Sequence, residues 1–193
     1  MTYLLVDNCN TRTKFVLATE CGLLDWRAVI PTKEVTGEAL EGRTFDCAVV
    51  CSVVPRIMEV LEQWFRVPVH KLTCESPLGV GIDYPQPRQI GADRLANAAG
   101  VGIRYAVPCI VVDFGTAVTF DVSDGKRNYV GGVICPGLAA LSDYLPQNTA
   151  QLPTINPREP DQAIDKSTEE AMHAGAVIGY RGLVKEILAR LEL

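Results

Sequence analysis

Short apolar or alternating runs, each ended by a glycine, a proline or a polar turn, recur along the first 72 residues. They predict strands at Tyr3–Asp7, Thr13–Ala18, Trp26–Ile30, Phe45–Cys51 and Val67–Leu72. Residues 32–41 predict a short helix. Pro55 suits the first turn of another helix reaching Phe65, whose Ile57, Val60, Leu61 and Trp64 fall on one face. The resulting order is β-β-β-α-β-α-β.

Proline and glycine then cluster between Ser76 and Gly91, which predicts a loop and a lobe boundary, with a first lobe over 1–88 and a second over 89–193. A helix is expected over 92–106, and strands over 109–114, 117–122 and 128–134, the last two joined by a turn at Asp124-Gly125. Further on, 137–145 reads as helix and 146–164 as a proline-rich surface loop. Ser167-Thr168-Glu169-Glu170 has capping-box spacing and starts a helix with Ala171, Ala174, Ile178 and Leu183 as its expected buried face. Gly175, Gly179 and Gly182 weaken that helix, which makes sense where another backbone packs very close.

Chemistry enters at the strand CIVVDFGTAVTFD, residues 109–121. Asp113 ends a hydrophobic strand, a costly place for an acid unless it serves a cation or a hydrogen bond. Gly115 lets the backbone approach a ligand, and Thr116 adds a hydroxyl in the turn. A core turn with a stray acid is the alternative. The stretch VDNCNT at 6–11 half-matches VDFGTA at 112–117, and each is followed by two more strands, so the chain carries an internal duplication. Two such lobes would aim two polar turns at one cleft, with backbone N–H groups suited to phosphate oxygens and acids suited to a hydrated metal.

Composition narrows the classes. Apolar residues make up 48% and charged residues 21%, and 18 basic against 23 acidic residues give a net charge of −5, which argues against a general nucleic-acid surface. No apolar stretch reaches the roughly 18 residues of a membrane span, and the N-terminus runs straight into a strand without a signal peptide. Seven cysteines, mostly in apolar runs, read as reduced thiols of a cytoplasmic protein, and two distant histidines make zinc an unpromising ligand. A Walker A loop and a dinucleotide fingerprint are both absent.

The duplicated Asp turns resemble the actin–hexokinase superfamily of phosphotransferases, and the chain more narrowly resembles type III pantothenate kinases. The matching segments are DNCNTRTK at 7–14, SVVP at 52–55, YPQPRQIGADR at 84–94, DFGTAVTFD at 113–121, GGVICPG at 131–137, TAQLP at 149–153 and STEEAMHAGAVIGYRGL at 167–183. The resemblance implies an α/β fold of two duplicated ribonuclease-H-like lobes around a nucleotide cleft. It also implies ATP-dependent phosphorylation of the primary hydroxyl of pantothenate, the first step of coenzyme A synthesis.

By the same resemblance Asp7, Asn8, Cys9, Asn10, Thr11, Arg12, Thr13 and Lys14 hold the ATP phosphates together with Thr116, and Asp7 positions Mg²⁺ through water. Asp93 is the implied general base. Tyr84, Gly91, Ala92, Asp93 and Arg94 are implied substrate contacts, with Thr168 completing the pocket from the partner of a homodimer. Asp113 is implied to hold a monovalent cation, K⁺ or NH₄⁺. Taken singly, Lys14 also reads as a solvated strand lysine, and Asp93 as a first-turn acid satisfied by the helix dipole.

Two departures from the family pattern set further expectations. Cys9 stands where the family has glycine, and a left-handed backbone there would cost about 1–2 kcal/mol. The family's closing segment has no counterpart after the last helix, so the second lobe is expected to be incomplete: trimmed, truncated or finished by another chain. The alternatives to an active pantothenate kinase are a non-catalytic binding or regulatory relative and a kinase for another small alcohol.

Overall fold

The computed structural model describes residues 1–191 and contains two β-sheets. The first sheet has β1 (Tyr3–Asn8), β2 (Arg12–Thr19), β3 (Gly22–Pro31), β4 (Cys47–Ser52) and β5 (Val69–Lys71) in the order β3-β2-β1-β4-β5. β1 pairs antiparallel with β2 and parallel with β4, Asp7 lying opposite both Lys14 and Cys51. Strand alternation sends Leu4, Val6 and Asn8 into the core and leaves Leu5 and Asp7 on the opposite face. The core is closed by α1 (Pro55–Trp64), whose Ile57, Met58 and Leu61 pack on Val6, Phe15, Ala48 and Val50. Truncating Leu61, 1% exposed, to alanine would cost about 2–5 kcal/mol.

Residues 32–41 form two 3-10 turns, Thr32–Glu34 and Gly37–Leu40, in place of the expected helix. Trp64 is 51% exposed, off the buried face expected for it. The indole lies where a side chain on Gly37 would stand, a Cβ there falling 1.7 Å from the ring. The tryptophan therefore lies against the 3-10 segment instead of entering the core.

The second sheet has the order β6-β9-β8-β7, formed by β6 (Gly81–Ile82), β7 (Cys109–Phe114), β8 (Ala117–Ser123) and β9 (Asn128–Pro136). β7, β8 and β9 repeat the antiparallel start of the first sheet. β6, inside the expected loop, adds a short parallel strand to β9. β7 stands at the sheet's edge, where its counterpart β1 has β4 beside it.

Val118 and Phe120 pack against α3 (Leu138–Asn148) and against Tyr180 and Leu183 of α4 (Thr168–Arg190). The α4 N-cap forms as its spacing predicts, with Ser167 Oγ accepting from Glu170 N at 3.1 Å. Its buried residues are Met172, His173, Ala174 and Tyr180, whereas Ala171 and Ile178 of the expected buried face are exposed. Gly175, Gly179 and Gly182 share that exposed face, and a Cβ on any of them would meet nothing within 4 Å. The remaining helix, α2 (Ala92–Arg104), touches β4 of the first sheet and β7 and β8 of the second, so it links the two lobes.

Candidate active site between two turns and a helix start

The β1–β2 turn closes with Cys9 N donating to Arg12 O at 3.1 Å. Beneath it Asn8, 1% exposed, donates through Nδ2 to Thr13 Oγ1 at 2.7 Å and accepts at Oδ1 from Ser52 Oγ at 2.6 Å. Thr32 Oγ1 lies 3.1 Å from Thr13 Oγ1 and donates to Cys9 O at 2.6 Å. The side chains of Asn8 and Thr13 thus brace the turn from inside, while Asn10, Thr11 and Arg12 are exposed.

On the other face of β1, Asp7 Oδ2 accepts from Lys14 Nζ at 2.8 Å and Asp7 Oδ1 from Cys9 Sγ at 3.3 Å. The bond to Asp7 holds Lys14 above its ordinary value, so it stays an ammonium. Burial, and then the charge of Asp7, push the Cys9 thiol up to about 12. Among the described non-glycine residues Arg127 alone has a positive φ, so Cys9 occupies the position without the left-handed strain expected of it.

The second turn, between β7 and β8, closes with Gly115 N donating to Ala117 O at 3.0 Å. Gly137, at the start of α3, donates its N–H to Thr116 O at 3.0 Å. Only a glycine fits there, because a Cβ would fall 2.2 Å from Gly115 O. The two turns meet: Thr11 Oγ1 and Thr116 Oγ1 are 2.7 Å apart. The duplicated halves therefore present their hydroxyls and exposed backbone at one point, as the repeat predicts.

The α2 start supplies the third wall. Gly91 is the N-cap, and a side chain on it would collide with Asp93 Oδ1 at 2.4 Å. Asp93 is half-buried, and Oδ1 accepts from Arg94 N at 2.8 Å. Desolvation is the main force holding the Asp93 carboxyl above its ordinary value; the nearby charges of Asp121 and Asp113 add to it, and hydrogen bonding to Arg94 N opposes it. Gly91, Ala92, Asp93 and Arg94 are contiguous in this first turn. Tyr84 joins them through Tyr129, the two rings being 6.2 Å apart, with the Arg94 guanidinium 5.6 Å from the Tyr129 ring centroid.

Arg94 is largely spoken for. It is 12% exposed, and Nε donates to Asp121 Oδ1 at 2.5 Å. Its Nη2 is buried without a partner among the described residues, in the space left by Gly132. Asp121 is 1% exposed and also accepts from Asn97 Nδ2 at 3.1 Å and Thr119 Oγ1 at 3.4 Å. Removing one partner of such a buried pair costs about 3–5 kcal/mol, because the survivor is left charged and uncompensated. Asn97 Nδ2 also lies 3.4 Å from Asp113 Oδ2. Asp121, Asn97 and Tyr129 are absent from the expected site, yet β8 holds the signal: an acid at an alternating position inside an apolar strand demands a partner.

Thr168 stands apart, at the first turn of α4, and no hydrogen bond among the described residues ties it to the other site residues. Among the described residues no three of His, Cys, Asp and Glu gather in a metal-holding cluster. No described helix is long and apolar enough to cross a membrane.

A family described as type III pantothenate kinase matches residues 3–190. The chain belongs to the type III pantothenate kinase family. A type III pantothenate kinase of Akkermansia muciniphila is 63% identical over 196 residues, covering 100% of this chain and 81% of that protein. One from Methylacidiphilum infernorum is 41% identical over 193 residues, covering 98% of this chain and 71% of the relative. Among solved structures, a crystal structure of a Campylobacter jejuni protein named a Baf family transcriptional activator superposes with a TM-score of 0.63. At 23% identity, over 95% of this chain and 78% of that one, it shares the fold. Both turns, the α2 start and the whole of α4 lie inside the segment matched by the type III pantothenate kinase family, a family of kinases, and a kinase takes ATP as its co-substrate.

Proposed function

We propose that this chain transfers the γ-phosphoryl group of ATP to the primary hydroxyl of pantothenate, yielding 4'-phosphopantothenate. The observation that carries the reading is the meeting of the two duplicated turns at Thr11 and Thr116, 2.7 Å apart, with Asp93 on α2, the helix that links the lobes, close enough for its charge to act on Cys9 of the first turn. Exposed turn amides, the Thr11 and Thr116 hydroxyls and the Lys14 ammonium suit a triphosphate, and positioning plus charge neutralisation is most of what phosphoryl transfer asks of a protein. Asp93 takes the proton of the attacking hydroxyl. Its half-buried setting lifts its basicity toward the working pH, where a base is most effective. Tyr84, Gly91, Ala92 and Arg94 line the acceptor's side of the cleft.

The donor chemistry fits hard cations. Asp7 is a partly exposed carboxylate whose partners are an exposed lysine and a thiol, so it can accept the water shell of Mg²⁺. Asp113 is an exposed carboxylate at the end of β7 with Asn97 Nδ2 at 3.4 Å from Oδ2, and its oxygens suit K⁺ or NH₄⁺. Such cations supply charge neutralisation at the transferring phosphate.

The exposed face of α4, with Ala171, Gly175, Gly179 and Gly182 in line and Ile178 43% exposed, supports a homodimer built on close helix packing. In that dimer Thr168 reaches the partner's cleft. Cytoplasmic residence follows from the coenzyme A role. A coupled assay of ADP release tests the proposal: turnover with pantothenate, ATP, Mg²⁺ and K⁺ is expected, and silence at millimolar ATP refutes it.

A further inference from the structure

Asp121 lies on the face of β8 that looks toward α2, two residues from Thr119 and eight from Asp113. Its carboxylate is fully buried and accepts three hydrogen bonds, two of them from α2: Arg94 Nε at 2.5 Å and Asn97 Nδ2 at 3.1 Å. Arg94 and Asn97 are three residues apart, so they project from one side of the helix, next to its first turn. Thr119 Oγ1 supplies the third bond from β8 itself. A buried carboxylate held this way is a rigid point, since letting go of any donor leaves charge in a low-dielectric interior.

We infer that Asp121 is a positioning residue for the proposed phosphoryl transfer: it clamps the start of α2 to β8 and so fixes where the Asp93 carboxylate stands. The inference rests on the reading of Asp93 as the base. Three observations converge on it. Asp93 directly precedes Arg94, so any rotation of Arg94's backbone carries it along. Asp93 Oδ1 is bonded to Arg94 N, which ties the carboxylate's orientation to that same residue. Gly132 leaves the room that Arg94 needs, a Cβ there falling 2.8 Å from Nη2 and 1.7 Å from Phe120 O. The second arm of the clamp, Asn97, also touches Asp113, so the strand end beside the phosphate turn and the base-bearing helix share one anchor.

The full-length chain is compared with Asp121→Asn and with the double variant Asp121→Asn/Arg94→Gln, which leaves no unpaired buried charge and protects against a failure to fold. Two readouts need no turnover: hydrogen exchange of residues 91–98 against α1 as internal control, and a carbon-13 titration of the Asp93 carboxyl. The groups that act on Asp93 are Arg94 on its own helix, Asp113 on β7 and Asp121 on β8; Asp93 in turn acts on Tyr129 of β9, Cys9 of the first turn and Cys51 of β4. Of these only Asp121 loses its charge in the single variant, so the Asp93 midpoint moves down. Exchange over 91–98 rises several-fold in both variants while α1 stays unchanged.

Kinetics give the third readout. In Asp121→Asn, kcat falls about 10- to 100-fold, the cost of misplacing a reacting group, with the KM for ATP held within about twofold. The acid limb of kcat/KM for pantothenate follows the Asp93 midpoint downward. A wild-type Asp93 titration together with wild-type exchange over 91–98 in both variants overturns the inference. A wild-type chain without pantothenate turnover overturns the proposed function instead, and leaves the exchange and titration to judge Asp121.

Discussion

Thr11 and Thr116, 105 residues apart in sequence, face each other with their hydroxyl oxygens 2.7 Å apart. They stand in the matching turns of an internal repeat, though one position out of register, Thr11 aligning with Ala117 and Thr116 with Asn10, and their meeting supports the reading that the two lobes share one site. Both are exposed, so their hydrogen bond adds little to stability. Thr11→Ala and Thr116→Ala are expected to raise the KM for ATP, each by about 1 kcal/mol or roughly fivefold, with melting temperatures within error of wild type. Steady-state kinetics of the single and double variants check this, and strict additivity would show that the hydroxyls do not act together.

Asp93→Asn is expected to lower kcat by at least about 100-fold while leaving the fold intact. The carboxyl sits above its ordinary value in the folded chain, so the folded state binds its proton more tightly than the unfolded state. Its contribution to stability therefore falls as pH rises from the ordinary carboxylate range through the raised value. At neutral pH the asparagine variant should melt no lower than wild type, and its advantage should vanish below the ordinary carboxylate pKa. Thermal melts across pH read this, and a large loss of stability at neutral pH would contradict it.

Cys9 should be inert to alkylation. Its thiol, pushed up to about 12 by burial and by Asp7, carries almost no thiolate near neutrality, whereas Cys21 is exposed. Iodoacetamide at about pH 8 is expected to label Cys21 first and Cys9 last, as read by peptide mass spectrometry. Rapid labelling of Cys9 would mean that its contact with Asp7 does not persist in solution.

The helix α4 offers a test of assembly. Gly179 faces open space in the chain, so arginine there is sterically harmless to the protomer. Gly179→Arg is expected to convert the proposed dimer to monomer and to remove turnover by taking Thr168 away from the partner's cleft. Sedimentation velocity decides; an unchanged oligomer would place the interface elsewhere. Gly179→Ala should by contrast raise helix stability by about 0.5–1 kcal/mol in the isolated protomer.

Much of the fold was legible because its signals are local. The alternation of Leu4, Val6 and Asn8 against Leu5 and Asp7 marks β1, and Ser167 with Glu170 marks the start of α4. The repeat alone puts Thr11 and Thr116 in matching turns. What stayed hidden depends on distant partners. Trp64 fits a helical apolar stripe, and only the empty space at Gly37 draws it outward. The buried face of α4 is rotated from expectation, because Ala171 and Ile178 fit a helical apolar stripe and yet share the outward face with Gly175, Gly179 and Gly182. Nothing local to Arg94 signals that Asp121, 27 residues away, holds its guanidinium.

The pairing of Lys14 with Asp7 has a consequence for how the nucleotide is received. Each group presently serves as the other's counter-ion, so a metal ion alone must compete with an ammonium, and a triphosphate alone must pull that ammonium off a carboxylate. On the proposed roles, Lys14 would serve the phosphates and Asp7 the metal's water shell together, with no charge left stranded. Those roles would favour the metal–nucleotide complex over either component, a positive binding linkage between the two that must hold in both directions.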